Sequence, residues 1–179
     1  MTFWEKIKNI ALNYRDLSTL GIANLLSSII LALFWFLVAT IVQADSYGQI
    51  GYYISIASIV TTIALPGISN TIMVHGSKDN KIKSTLFLLS IILIMISSII
   101  LYFIINFSTS LYLLGFGTFS LIISELLSRK LFGELFKITI IQKILSIVIS
   151  LSLYYVIGLD GIIFGLAVSY LIYIPKFIV

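Results

Sequence analysis

Cysteine is absent from this 179-residue chain, and histidine occurs once, at His75. The lack of thiols excludes a disulfide framework, a thiolate metal site and a cysteine nucleophile. One imidazole cannot form a zinc site by itself. The sequence therefore predicts a fold held together without disulfides, and we expect no metal and no cofactor.

Charge is also scarce, since 10% of the residues are charged and 60% are hydrophobic. Soluble domains have about 25% charged and about 45–50% apolar residues. A folded domain of this size still exposes about a third of its unfolded surface, so it could not keep this much apolar area from water. The mean hydropathy of +1.15 thus predicts an all-α, polytopic integral membrane protein whose solvent is lipid.

Three long runs, 17–44, 46–77 and 84–124, contain no charged residue. A charge at the centre of a bilayer helix costs about 2.5–3.5 kcal/mol on insertion scales, so such runs indicate membrane spans. As one helix the third run would reach about 60 Å at 1.5 Å per residue, twice the hydrocarbon core. We therefore predict a break at the polar cluster 106–110.

The complete pattern predicts six transmembrane helices within one lobe, residues 17–179. Each span supplies the ~20 residues that a bilayer requires, and only short loops remain. The approximate spans are 18–42, 47–74, 85–106, 110–127, 138–157 and 161–178.

Residues 1–16 precede the first span and have an amphipathic pattern. Apolar side chains recur at spacings of 4-3-4-3 from Phe3 to Leu17, opposite polar ones such as Lys6 and Asp16. This spacing predicts a helix lying on the membrane surface. The alternative is a short tail continuous with the first span.

All eleven basic residues fall on one side of the six-span arrangement. Cytoplasmic loops are enriched in Lys and Arg, so we predict a multi-pass plasma-membrane protein with both termini in the cytoplasm. The net charge of +4 is explained by orientation and anionic headgroups rather than by nucleic acid. The basic residues are Lys6, Lys8, Arg15, Lys78, Lys81, Lys83, Arg129, Lys130, Lys137, Lys143 and Lys176.

Hydroxyl and amide side chains form stripes along single faces of three spans. Such groups prefer protein neighbours or water to lipid, so we expect the stripes to face the bundle interior. There they either pack helices together or line a cavity. The stripes are Asn24, Ser27 and Ser28 in the first span, Ser55, Ser58, Thr62 and Ser69 in the second, and Gln142, Ser146 and Ser150 in the fifth.

Glycine and proline predict two local features. Gly161, Gly165 and Ser169 recur at four-residue spacing, a small face that lets another helix approach closely. Pro66 and Gly67 interrupt the second span and free backbone groups there. That break is either a hinge for an alternating-access motion or a static kink.

Residues for catalysis are missing from the predicted spans. They contain no paired carboxylates, no Ser-His-Asp set and no glycine-rich phosphate loop followed by lysine. We therefore do not expect an enzyme. Charged residues three or four apart indicate interfacial salt bridges worth a few tenths of a kcal/mol. These pairs are Asp79 with Lys83, Glu125 with Arg129, and Glu134 with Lys137.

Two stretches resemble the polysaccharide-biosynthesis flippases of O-antigen type, within the multidrug/oligosaccharidyl-lipid/polysaccharide (MOP) exporter superfamily. The first is LVATIVQADSYGQIGYYISIASIVTTIALPGISNTIMVH, in which Tyr47-Gly48 opens the second span and GISN at 67–70 closes it, as in that family. The second, FGELFKITIIQKILSIVISLSLYYVIGLDGIIFGLAVSYLI, is similar to the family's fifth and sixth spans. The likeness extends over almost the whole chain.

The resemblance implies a MATE-like transporter that flips a lipid-linked oligosaccharide to the outer leaflet by alternating access. Family members have two six-helix lobes, so we expect this chain to correspond to the N-terminal lobe of a partial or half-size flippase. A second lobe would come from a split partner, a homodimer or a lost C-terminal half. The other expected partners are the bilayer and the lipid-linked oligosaccharide, and nucleic acid is not expected.

The resemblance also implies candidate substrate-binding residues, because basic groups would meet the lipid phosphate and polar groups the glycan. Family arginines late in span one and basic residues ending span two correspond here to Thr40 and His75. His75 is either a headgroup ligand or an interfacial residue beside Lys78, and Arg129 and Lys143 either attract phosphate or anchor the chain. The candidates are His75, Arg129, Lys143, Asn24, Ser58, Thr62 and Gln142, with Pro66 and Gly67 as the hinge.

Two other functions are consistent with the sequence. One is a non-transporting component of an envelope-glycan complex, either truncated or structural. The other is a multidrug or cation exporter, which would be expected to bury an acidic residue for coupling. The acid nearest to mid-span, Glu125, lies at a predicted span end.

Overall fold

The computed structural model of the chain describes residues 3–65, 67–75 and 80–173, without the side chains of 3–13, 15–17, 75 and 80–82. Within these ranges the chain is helical and contains no strand, which confirms the all-α class. The helices are α1 (Phe3–Ile41), α2 (Ala44–Ala64), α3 (Ile68–His75), α4 (Asn80–Ile104), α5 (Phe107–Ser128), α6 (Phe132–Ile157) and α7 (Leu159–Leu171).

Among the residues that the structure describes, four helical segments are long and apolar enough to cross a bilayer: Ser18–Ile41, Lys83–Ile104, Phe107–Ser128 and Phe132–Ile157. A fifth span results if α2 and α3, whose axes differ by 60°, are counted as one broken helix. α7 is apolar but has 13 residues, fewer than the ~20 that a span needs. The protein is therefore a membrane protein whose described part contains four or five candidate spanning helices.

α1 is one unbroken helix of 39 residues. At 1.5 Å per residue it is about 58 Å long, well beyond the ~30 Å hydrocarbon core. The helix runs through residue 17 without a break. This agrees with the alternative in which the N-terminal segment is continuous with the first span. The interfacial position of residues 1–16 stays a prediction.

Short turns separate the helices where the sequence contains polar residues or glycine. Between α4 and α5 the chain turns at Asn106, whose side-chain oxygen accepts a hydrogen bond from the Thr109 backbone N–H at 2.8 Å. This N-cap starts α5 at the polar cluster where the break was predicted. Between α6 and α7, Gly158 adopts φ 79°, a left-handed conformation that favours glycine.

α5 is the central helix of the bundle and packs against α2, α3, α4 and α7. Its glycines permit this position. A Cβ at Gly115 would lie 2.8 Å from the Ala167 carbonyl oxygen of α7, and one at Gly117 would lie 3.0 Å from Ile94 of α4. Larger residues at these positions would push the neighbouring helices outward.

α6 and α7 make the closest helix contact, and the predicted small face of α7 is confirmed as its cause. A Cβ on Gly165 would lie 2.4 Å from Ser150 Cα, and one on Gly161 would lie 2.2 Å from the Leu153 carbonyl oxygen. Small residues spaced by four let two backbones touch in this way. The face serves packing, as expected.

Two ends of the bundle can be named by their residues. The Asn106 end contains the α1–α2, α4–α5 and α6–α7 turns, and the Arg129 end contains the start of α4 and the α5–α6 turn. Near the Asn106 end, Ser110 Oγ of α5 donates to the Ser98 carbonyl of α4 at 2.8 Å. The two hydroxyls are also 2.7 Å apart, so serines fasten this hairpin.

Candidate functional site

A chain of polar side chains crosses the bundle from α2 through α5 and α7 to α6. The Tyr112 ring on α5 packs edge-on against that of Tyr170 on α7, with ring centres 5.9 Å apart, and its side chain lies close to that of Ser58 on α2. Tyr170 in turn lies close to the side chain of Gln142 on α6. Buried tyrosines usually find such partners. These four residues, together with Ser169, are called the polar path below.

The α6 end of the polar path is completely buried. Gln142 and Ser169 are both 0% exposed. Gln142 Nε2 donates to Ser169 Oγ at 3.2 Å, and Ser169 Oγ donates to the Leu166 carbonyl at 2.7 Å. Gln142 Oε1 accepts no hydrogen bond from any residue that the structure describes. It is therefore an acceptor that a water molecule or a ligand hydroxyl would satisfy.

Lys143 brings a positive charge beside the polar path. Its Nζ lies 5.8 Å from the centre of the Tyr170 ring, within cation–π range. Across ranges 3–65, 67–75 and 80–173, no described carboxylate forms an ion pair with it. Among the described residues, Lys143 Nζ therefore contacts an aromatic face rather than an acid.

A cavity of about 380 Å³ lies at the bend between α2 and α3, against α5. It is one helical turn from the polar path, because Phe116 in its wall stacks in parallel on Tyr112 with ring centres 5.8 Å apart. Gly67 in the bend has φ 73°, while Pro66, the other predicted hinge residue, lies outside the described residues. The lining residues are Thr61, Thr62, Leu65, Gly67, Ser69, Asn70, Phe116 and Ser120.

Three charged side chains meet at the Arg129 end and form the ion cluster. Glu125 of α5 is 6% exposed, and its Oε1 pairs with Arg129 Nη2 at 2.6 Å. The same oxygen accepts a hydrogen bond from Lys83 Nζ of α4. Two cations therefore share one buried carboxylate, which leaves the cluster with a net positive charge.

The pairs predicted from spacing are partly found. Glu125–Arg129 is present, and Glu134 and Lys137 are 3.3 Å apart on an exposed surface. The partner predicted for Lys83, Asp79, lies outside the described residues. The ion pair of Lys83 with Glu125 joins two helices. It was not predicted, because the two residues are far apart in the sequence and a three- or four-residue spacing cannot indicate their contact.

The predicted site residues are only partly brought together. Ser58 and Gln142 belong to the polar path and Lys143 lies beside it, while Thr62 lines the cavity one turn away. Arg129 belongs to the ion cluster and Asn24 is exposed on α1. The side chain of His75 lies outside the described residues.

Of the three predicted polar stripes, the one on α6 faces inward. Gln142, Ser146 and Ser150 are all buried. On α1, Ser27 is buried, whereas Asn24 and Ser28 are exposed.

The expected inward orientation of the α2 stripe is wrong in part. Ser55 and Thr62 are exposed, and the buried hydroxyl of this helix is Thr61. The physical reason is that Ser58 and Thr62 each donate to the backbone carbonyl four residues earlier, at 2.8 and 2.9 Å. A hydroxyl satisfied within its own helix needs no partner across the bundle.

Sequence reasoning missed Tyr112 and Tyr170, which connect the polar path. Both stand in apolar runs, and the span prediction uses their hydropathy but not the hydrogen-bonding capacity of their hydroxyl groups. A signal was present, since a phenol hydroxyl in the middle of a span requires a hydrogen-bond partner.

No family model matches the chain, and no curated protein or solved structure is significantly similar to it. Its function must therefore be inferred from its own residues. The polar path with its cavity and the ion cluster are the features that bear most directly on function.

Proposed function

We propose that this chain is one six-helix lobe of a plasma-membrane exporter that flips a lipid-linked oligosaccharide. The observation that carries the proposal is the polar path, which lies one helical turn from an open cavity whose wall includes hydroxyl and amide side chains. Polar groups inside a membrane protein are costly, and they typically mark a substrate or ion pathway.

The proposed orientation places the Arg129 end in the cytoplasm, with α2 and α3 as one span and α7 as the start of the sixth. The charges support it. Lys83, Arg129 and Lys130 lie at that end, whereas Asp45 and Asp160 lie at the Asn106 end. Basic residues concentrate on the cytoplasmic side of polytopic proteins.

In this proposal the cavity takes the headgroup and the lipid tail stays in the bilayer. Thr62, Ser69 and Asn70 of the cavity wall supply hydroxyl and amide groups for sugar hydroxyls. Lys143, Ser58 and Gln142 lie along the polar path rather than in that wall, so the headgroup is proposed to extend from the cavity to the path, where Lys143 meets a phosphate. A volume of 380 Å³ is at the lower end of the ~300–1,000 Å³ typical of small-molecule pockets. It holds a phosphate with a sugar ring, and a second lobe is proposed to enclose the rest of the glycan.

Alternating access would use the bend between α2 and α3. The two axes differ by 60°, and Gly67 with φ 73° accommodates the change of direction. The ion cluster holds α4 to α5 at the Arg129 end. Rotation of the lobe as a unit, with bending at residues 66–67, is the proposed motion.

The burial of Glu125 bears on the cation-exporter alternative, which requires a buried acidic residue. This carboxylate is less exposed than its place at a predicted span end suggested. Lys83 and Arg129 already occupy it, however, so it is not available to a transported cation. The lipid-linked oligosaccharide therefore remains the preferred cargo.

The decisive experiment is deletion or depletion of the gene in its own host, with lipid-linked oligosaccharide and surface polysaccharide measured. We expect the lipid-linked intermediate to accumulate inside and the surface polysaccharide to fall. The wild-type chain should restore both, whereas Lys143→Gln should not, at equal membrane levels. The matched control is Lys137→Gln, an exposed lysine on the same helix that should restore both.

A different outcome would overturn the proposal. If deletion leaves both quantities unchanged, the chain is not the flippase, and a non-transporting membrane component becomes the preferred function. If Lys143→Gln restores export fully, the lysine serves orientation and not phosphate binding.

A further inference from the structure

A second pocket lies at the Asn106 end of the bundle and contains no residue of the polar path or the ion cluster. It has a volume of about 170 Å³ and is built by three separate parts of the chain. The start of α2 contributes Gln49 and Tyr53, the α4–α5 turn contributes Asn106, and the start of α7 contributes Asp160. This cavity is called the Asn106 pocket.

The floor of the Asn106 pocket is apolar and its rim is polar. Ile50 and Ile163 line it, and each is 1% exposed. The half-buried ring of Tyr53 adds an aromatic wall. A ligand that fits this lining has an apolar face together with polar groups around its edge.

The hydrogen-bond inventory of the rim is mixed. Asn106 Oδ1 is occupied by the Thr109 N–H at 2.8 Å, so its side-chain NH₂ remains as a donor. Gln49 Nε2 donates to the Tyr53 hydroxyl oxygen at 2.9 Å. That bond leaves Gln49 Oε1 as an acceptor and the Tyr53 O–H as a donor.

Asp160 adds a carboxylate acceptor to this rim. It is exposed, and in the part of the chain that the structure describes no hydrogen bond or ion pair engages it. The rim therefore presents two donors and two acceptors from four side chains. Vicinal hydroxyl groups, each of which both donates and accepts, match that set.

Charged ligands fit the Asn106 pocket poorly. No lysine or arginine is among its lining residues, so nothing there would balance an anion. Asp160 is its single acidic residue, and the described residues contain no group of three His, Cys, Asp or Glu that could hold a metal ion. Calcium in proteins takes six to eight oxygen ligands, often several of them carboxylates.

We propose that the Asn106 pocket binds one neutral sugar ring through its vicinal hydroxyl groups. Its 170 Å³ is well below the ~300–1,000 Å³ of pockets for drug-sized ligands, which limits the occupant to about one ring. The role of this pocket, contacting the glycan on the exit side, rests on the proposed function. The binding itself requires no transport and is measured without it.

The test is saturation-transfer NMR on the full chain in lipid nanodiscs, with glucose, galactose and N-acetylglucosamine as probes. We expect saturation of the ring protons of at least one sugar. Asp160→Ala should weaken binding by about tenfold or more, as for loss of a hydrogen bond to a charged group. Asn106→Asp should also weaken it, because this change keeps the oxygen that caps α5 and removes the NH₂ donor.

The matched control is Asp45→Ala, which removes an exposed acid at the same end of the bundle but outside the pocket. It should leave sugar binding unchanged. The proposal is overturned if none of the three sugars binds at high millimolar concentration, or if all variants bind equally. It is also overturned if calcium chloride displaces the sugar and calcium binding itself is lost in Asp160→Ala.

These outcomes are independent of the transport assay. A chain that restores export but binds no sugar at the Asn106 pocket would overturn this inference alone. Sugar binding by a chain whose deletion leaves export unchanged would overturn the proposed function and support the pocket.

Discussion

Lys83, at the start of α4, donates a hydrogen bond to Glu125, which stands 42 positions later near the end of α5. Arg129 pairs with the same carboxylate oxygen. The cluster joins the open end of the α4–α5 hairpin, while Ser98 and Ser110 fasten the other end. Polar contacts between the two helices thus hold both ends of this pair.

Loss of Lys83 should destabilise the fold. Lys83→Met leaves Glu125 buried with Arg129 as its one cation, and we expect a loss of about 1–3 kcal/mol, as for removal of a partner from a buried polar group. Thermal unfolding in detergent, followed by circular dichroism, measures it. Lys137→Met, which breaks an exposed pair with Glu134, should cost less than about 1 kcal/mol. Equal unfolding temperatures for the two variants would contradict the role of the cluster.

The contact between α6 and α7 should tolerate no added side chain. Gly165→Ala places a methyl group 2.4 Å from Ser150 Cα, so the helices must separate, at a cost of about 1–3 kcal/mol. Gly51→Ala on α2 meets nothing within 4 Å and should be neutral, or stabilising by up to about 1 kcal/mol. The unfolding temperatures of the two variants check the prediction, and a neutral Gly165→Ala would exclude the close packing.

The polar path should matter more for export than for stability. Gln142→Leu removes a buried amide whose Oε1 lacks a partner among the described residues and whose Nε2 donates to Ser169 Oγ, which itself stays bonded to the Leu166 carbonyl. We therefore expect stability to change by no more than about 1 kcal/mol. Export should fall strongly if the path carries substrate. Ser150→Ala, a buried hydroxyl on the same face that also lacks a described partner, should preserve export. Normal export by Gln142→Leu would remove the path from the mechanism.

The orientation can be mapped directly, because the chain has no cysteine to interfere. A single cysteine replacing the exposed Asp45 should react with a membrane-impermeant maleimide in intact cells. One replacing the exposed Lys130 should react only after permeabilisation. The reverse pattern would refute the proposed orientation and, with it, the assignment of the Arg129 end to the cytoplasm.

Local patterns predicted the features that depend on neighbouring residues. The polar cluster at 106–110 contains the α4–α5 turn, and the small face at Gly161 and Gly165 meets α6. The inward face of α6 was also predicted, because Gln142 is an amide that its own helix cannot satisfy. The orientation of the α2 stripe was predicted incorrectly in part, because a serine or threonine hydroxyl can also donate its hydrogen bond to a backbone carbonyl of its own helix.

Composition and charge spacing by themselves determined that this protein is helical and embedded in lipid, since charge-free apolar runs of this length have no other stable solvent. Only the tertiary structure decided that Tyr112 meets Tyr170, and that Lys83 meets Glu125. Such partners lie on different helices, and the angle and rotation at which helices pack determine which side chains meet. No periodicity along one helix contains that information.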